Sequence, residues 1–124
     1  MPPASSGRNR LIKLSNSTHA DAEDLLARFI EKAVQGEPQV CTYGWAYRTL
    51  FNASYSKFSM AYAKKTVEVA CRTRPRELPG LGLVSLDTFI VSKKDGLPSV
   101  GYWSVAHHDR EEWARVLGSA TVLA

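Results

Sequence analysis

Between Leu25 and Val34 the apolar residues Leu25, Leu26, Phe29, Ile30, Ala33 and Val34 recur at the spacing of one helix face, and Gly36 with Pro38 closes the run. Thr18, three residues before Asp21, has the spacing of a capping-box start, and acidic side chains suit the positive end of a helix. A helix with a single apolar face requires a core. The chain can supply one without disulfides, since 44% of its residues are apolar and three are Trp. Its length of 124 residues suits one domain.

Charge is distributed unevenly along the chain. Residues 20–37 carry Asp21, Glu23, Asp24, Glu31 and Glu37 against Arg28 and Lys32, a balance of −3. Residues 43–76 carry Arg48, Lys57, Lys64, Lys65, Arg72, Arg74 and Arg76 against Glu68, a balance of +6. A positive field gathered on one segment attracts polyanions such as DNA or RNA. The plain alternative is a solvated helix face. No apolar run approaches the ~20 residues that span a bilayer, and no signal-peptide pattern follows Arg8, Arg10 and Lys13, so a soluble cytoplasmic protein is expected, with no membrane partner.

Residues 1–16 are expected as a flexible basic arm, with a short extended piece at Leu11 to Leu14, ahead of a single domain over 17–124. Such an arm can lie along a phosphate backbone. After a short extended piece from Gln39 to Tyr43, Thr42 can cap a second helix from Tyr43 to Phe51, with Trp45, Ala46, Leu50 and Phe51 inward. Residues 52–56 read as a turn, and a third helix should run from Lys57 to Thr73, packing Phe58, Ala61, Val67, Ala70 and Cys71. Residues 77–84 read as a Gly/Pro-broken loop. Ser85 to Lys93 and Ser99 to Val105 are expected as two strands of a hairpin turning at Asp95-Gly96, with Lys93 and Lys94 at its tip. A last helix from Asp109 to Leu117 has Glu111 and Glu112 in its first turn and Gly118 as its stop.

Helix, short strand, helix, turn, basic helix, hairpin, helix is close to the order of a winged helix-turn-helix. The expected class is therefore α+β, with three to four helices and a β-hairpin in the C-terminal half. The run Thr42-Tyr43-Gly44 opening a helix resembles the start of the DNA-binding winged-helix domain of alkylguanine-DNA alkyltransferases and alkyltransferase-like proteins. The resemblance covers about Thr42 to Gly101 and implies DNA binding. The Pro-Cys-His-Arg run that would carry alkyl transfer in that family has no counterpart at Val84-Ser85-Leu86-Asp87-Thr88. A second stretch, Ser85 to Trp103, is similar to small uncharacterised proteins of phages and mobile elements.

Candidate chemistry is sparse. His107-His108-Asp109 could suggest a metal or catalytic cluster, but adjacent side chains rarely converge on one ion, and a helix-start cap or surface position is the preferred reading. Asp87, between apolar residues, could be a buried acid, yet no partner carboxylate or His can be placed beside it from sequence, and a side chain that points to solvent or pairs with a basic residue of the third helix is the preferred reading. Cys41 and Cys71 read as reduced core thiols. No metal, cofactor or catalytic residue is assigned, and no enzyme activity is expected. Among the aromatics, Trp45, Phe51 and Phe58 suit the core, while Tyr55 and Tyr62 could contact bases. The leading expectation is a nucleic-acid-binding protein, DNA foremost, using Arg48, Lys57, Tyr62, Lys64, Lys65, Arg72, Arg74, Lys93 and Lys94. The rival is a phage-type inhibitor of a host protein complex, anti-CRISPR-like in role, which could reuse the same scaffold.

Overall fold

The computed structural model describes residues 6–51 and 60–124. Helix α1 (Ser6–Val34) buries Leu25, Leu26 and Phe29 of the expected face, and Ala22 with them, while Ile30 and Ala33 are partly buried and Val34, at the helix end, is exposed. It ends where expected. Gly36 takes a positive φ of 82°, the Glu37 amide donates to the Lys32 carbonyl at 2.9 Å, and the Gly36 amide donates to Ala33 at 3.1 Å. That pair of bonds satisfies carbonyls that the last turn leaves open, and glycine reaches the left-handed geometry without a Cβ clash.

The start of α1 differs from expectation. The helix begins at Ser6, inside the stretch read as an arm, and Thr18 lies within it, buried, its hydroxyl donating to the Leu50 carbonyl at 3.3 Å. No proline interrupts residues 6–34, and Leu11, Leu14 and Thr18 continue backward the spacing of Ala22, Leu25 and Phe29. Extending a formed helix costs far less than nucleating one, so the pattern propagates upstream.

Strand β1 (Gln39–Thr42) leads directly into α2 (Tyr43–Phe51). As expected, Thr42 caps α2, its hydroxyl accepting the Trp45 amide proton at 3.2 Å. The expected turn at 52–56 and the first residues of the third helix lie outside the described residues; the described part of that helix, α3, is Met60–Cys71. Its packed face falls on Thr66 and Ala70, and continues into Thr73, all buried; Val67 is half-buried and Cys71 is exposed. Thr73 secures the end of this helix by donating to the Ala70 carbonyl at 2.6 Å and accepting the Leu86 amide at 3.0 Å. A hydroxyl so satisfied can occupy the inside face in place of the apolar Cys71.

The β-structure departs most from expectation. The Gly/Pro-broken stretch is itself a hairpin, β2 (Arg76–Leu78) antiparallel to β3 (Gly82–Val84), with Leu78 opposite Gly82. Downstream, the expected hairpin over 85–105 does not form. Leu86–Phe89 is a 3₁₀ turn, because Thr88 folds back on Ser85: the Thr88 amide donates to the Ser85 carbonyl at 3.0 Å and the Ser85 amide donates to the Thr88 hydroxyl at 3.2 Å. Such local bonds compete with an extended ladder. Only β4 (Ile90–Val91) is a strand there. The second expected strand is helical, α4 (Val100–Trp103), with Trp103 donating its indole proton to the Pro98 carbonyl at 3.1 Å. Tertiary contacts outweigh the β propensity of Val, Tyr and Trp at these positions. The turn at Asp95-Gly96 survives, closed by the Ser92 amide on the Leu97 carbonyl at 2.8 Å.

Helix α5 (Arg110–Leu117) follows the sequence reading closely, with Asp109 and Glu112 each accepting the other's amide proton at 2.9 and 3.0 Å. Beyond it an unforeseen strand, β5 (Thr121–Leu123), pairs parallel with β1, and β4 pairs parallel on the other side. The sheet order is β4-β1-β5. Its core contacts include Phe29 stacked on Phe89, with ring centroids 5.2 Å apart, and Trp45 against Phe29 at 6.3 Å. Trp113, buried, donates its indole proton to the Thr88 carbonyl at 2.9 Å. The class is α+β. Among the described residues, no helix is long and apolar enough to cross a membrane.

Candidate functional site

Because β1 and its neighbours run parallel, their carboxyl ends meet at one edge of the sheet, and the chain leaves β1 there straight into α2. A crevice of about 420 Å³ opens at that edge, lined by Thr42, Tyr43, Gly44, Arg48, Ser92, Lys93 and Ala124. Crevices outside the carboxyl ends of parallel strands are a recurrent binding location in α/β folds. Here the amino end of α2 forms one wall, and Arg48 and Lys93 add two exposed cations from different elements. Among the described residues neither cation is held in an ion pair. A helix amino end and cations at one crevice favour an anion.

The expected basic residues divide into groups. Arg48 and Lys93 meet at the crevice, and Lys94 follows in the same exposed turn. Lys93 and Lys94 thus stand on the turn after β4, not at the tip of a wing, because the strands expected to flank them are helical or too short. Lys64 and Lys65 are exposed on α3, and the Lys65 ammonium lies 5.8 Å from the ring centroid of Phe51, one turn beyond Arg48 on α2. Arg72 is paired with Glu68 at 2.7 Å, both exposed. At Arg74 the backbone amide donates to the carboxylate of Glu23 from the acidic first helix at 2.8 Å, bringing negative charge beside that arginine. Lys57, Tyr55, Phe58 and the side chain of Tyr62 lie outside the described residues.

A second cavity of about 180 Å³ contains polar groups that the sequence did not connect. Pro75, Leu83 and Val84 border it on the hairpin side, Ser85, Asp87 and Thr88 come from the 3₁₀ turn, and Tyr102, Val105, Ala106, His107 and His108 come from α4 and the loop after it. The Tyr102 hydroxyl joins the Thr88 hydroxyl at 2.9 Å to Nε2 of His108 at 2.5 Å. Asp87 accepts hydrogen bonds from the Ser85 hydroxyl and, at 3.6 Å, from the Cys71 thiol. Burial pushes the Tyr102 phenol up to about 12, so it is a neutral hydrogen-bond donor at physiological pH. Burial lowers the pKa of His108, opposed by the charge of Glu112; the ring is buried, and among the described residues its Nδ1 has no hydrogen-bond partner.

His108 is therefore neither the surface residue nor the helix cap that the sequence suggested, although Asp109 beside it does cap α5. Asp87 is half-buried, and its partners are the Ser85 hydroxyl and the Cys71 thiol at the end of α3, where the sequence had suggested solvent or a basic residue of that helix. Tyr102 was missed because its segment reads as a strand; on a helix, it reaches a histidine six residues later. Of the two thiols, Cys41 is buried, with its pKa raised to about 12, whereas Cys71 is exposed, contrary to the expected core position. Among the described residues, no three His, Cys, Asp or Glu side chains are grouped to hold a metal ion.

Fold and crevice together define an α+β protein with a cation-lined cleft at the ends of a small parallel sheet. No family model matches the chain, and no curated protein or solved structure matches it either.

Proposed function

We propose that the protein binds nucleic acid, DNA foremost, without chemistry, and that a backbone phosphate sits in the crevice between the amino end of α2, Arg48 and Lys93. The observation that carries this reading is the convergence of those three sources of positive potential on one cavity. Lys94 beside Lys93, and Lys65 and Lys64 on α3, would continue the contact along neighbouring phosphates. The order of elements through β3 (helix, strand, helix, helix, hairpin) supports a winged-helix reading by order alone, with β2 and β3 standing where a wing would, although β1 pairs with β4 and β5 and not with that hairpin. In that arrangement α3 is the helix that faces the major groove. Arg72 and Arg74 are weaker candidates, since carboxylates already stand beside them.

A salt-titrated binding assay with duplex DNA, single-stranded DNA and RNA tests the proposal on wild type and on an Arg48→Glu, Lys93→Glu variant. Each neutralised duplex phosphate contributes about 0.9 to the slope of log K against log salt. The variant is expected to lose about one such increment, because both side chains serve the same phosphate. A flat salt response in wild type, or an unchanged slope in the variant, overturns the proposal.

A further inference from the structure

The cavity at the base of the β2–β3 hairpin differs in chemistry from the crevice. None of its lining residues is Lys or Arg, and its one carboxylate, Asp87, faces a group of hydroxyls and imidazoles. A phosphate would find no counter-charge there. At about 180 Å³ it lies below the ~300 Å³ where pockets for drug-sized ligands begin, a size that suits a single ring system. Its walls are apolar at Pro75 and Val84, and two aliphatic side chains, Leu83 and Val105, stand 48% and 70% exposed at the rim. Large apolar groups left in water around a polar floor match a flat ligand with apolar faces and a polar edge.

Resting on the nucleic-acid reading above, we propose that this cavity holds one unpaired nucleobase by its amino edge, with the Asp87 carboxylate accepting the exocyclic N–H. The carboxylate already accepts from Ser85 and Cys71, and its two oxygens offer about four acceptor sites, so room remains for a ligand donor. Asp pairs naturally with the amino group of cytosine, whereas uracil and thymine present a carbonyl at the equivalent position and would be repelled. The two cavities are neighbours. Tyr43 lines the crevice, and the charge of Asp87, which lines the second cavity, reaches it and helps to raise its pKa. A phosphate in one and a base in the other could belong to the same strand.

The test is an NMR titration of the ¹⁵N-labelled full chain with cytidine and, separately, with uridine. Cytidine is expected to saturate in the millimolar range and to shift the amides of residues 83–88 and 102–108, with uridine at least ~10-fold weaker. Asp87→Asn should weaken cytidine by ~10-fold or more, as expected for losing a hydrogen bond to a charged group. Should that variant fail to fold, Val105→Arg changes an exposed rim position and should block the mouth with the same loss of cytidine binding. The inference is overturned by an absence of shifts, by equal binding of uridine, or by variants that bind cytidine as wild type does. Oligonucleotide binding with neither nucleoside entering the cavity would remove this inference and leave the crevice reading standing. Cytidine binding without any polynucleotide binding would retain the base site and remove the crevice reading.

Discussion

Replacing Tyr102 by Phe removes one oxygen atom and keeps the ring that packs edge-on against Trp103 at 5.1 Å. The hydroxyl it deletes is the middle of a three-member chain, 2.9 Å from the Thr88 hydroxyl and 2.5 Å from Nε2 of His108. Both partners are more than nine-tenths buried, so neither gains water in exchange. Thr88 still accepts the Ser85 amide, so its loss falls at the low end of the ~1–3 kcal/mol range for stranding a buried polar group. For His108 the loss is larger. Among the described residues Nδ1 already lacks a partner, and the substitution leaves the neutral ring with neither nitrogen bonded to any of them. Together the two losses amount to about 3 kcal/mol, a large share of the ~5–15 kcal/mol that holds a typical domain together. With a urea m-value of ~2 kcal/mol/M, the unfolding midpoint at pH 7.5 should fall by about 1.5 M. A loss under ~0.5 kcal/mol would show that the Tyr102 hydroxyl is not the linchpin described.

Two further outcomes follow from the packing and from the buried imidazole. Phe29→Ala empties the stack on Phe89 and the contact with Trp45, and should cost ~3–5 kcal/mol in chemical denaturation; a loss below ~2 kcal/mol would show that the core closes over the gap. Burial lowers the pKa of His108, so below the ordinary value of 6.5 the unfolded chain takes up a proton that the folded one resists. Stability should be at its plateau above that value and decline as pH falls below it, and His108→Gln should show less of that decline; identical profiles for the two proteins contradict the assignment.

The local signals in the sequence carried far, and the pairing of distant segments did not. Gly36, Thr42 and Asp109 each act through bonds to residues within five positions, and each marks a helix boundary where the sequence places it. The strands could not be read the same way. β4 and β5 are two and three residues long, too short for an alternation to register, and both are parallel partners of β1 drawn from far along the chain. Val100 to Trp103 looks like a strand by composition and becomes a helix because Tyr102 and Trp103 find partners at Thr88, His108 and Pro98. The same distance hides the second cavity: Asp87, Tyr102 and His108 look unrelated until the 3₁₀ turn and α4 bring them together. At the crevice the sequence identified Arg48 and Lys93 as basic, and only the parallel sheet explains why they meet.

The central place of β1 between β4 and β5 also sets an order for the chain's assembly. A nascent polypeptide leaving the ribosome can form α1, β1 and α2 early, but β1 then has both edges open until segments synthesised much later arrive to cover them. Loops of that length must close before any of the sheet's bonds form, so this step is expected to be the slow one in refolding. Until it is complete, the exposed edges of β1 are the most vulnerable part of the molecule to pairing with another chain.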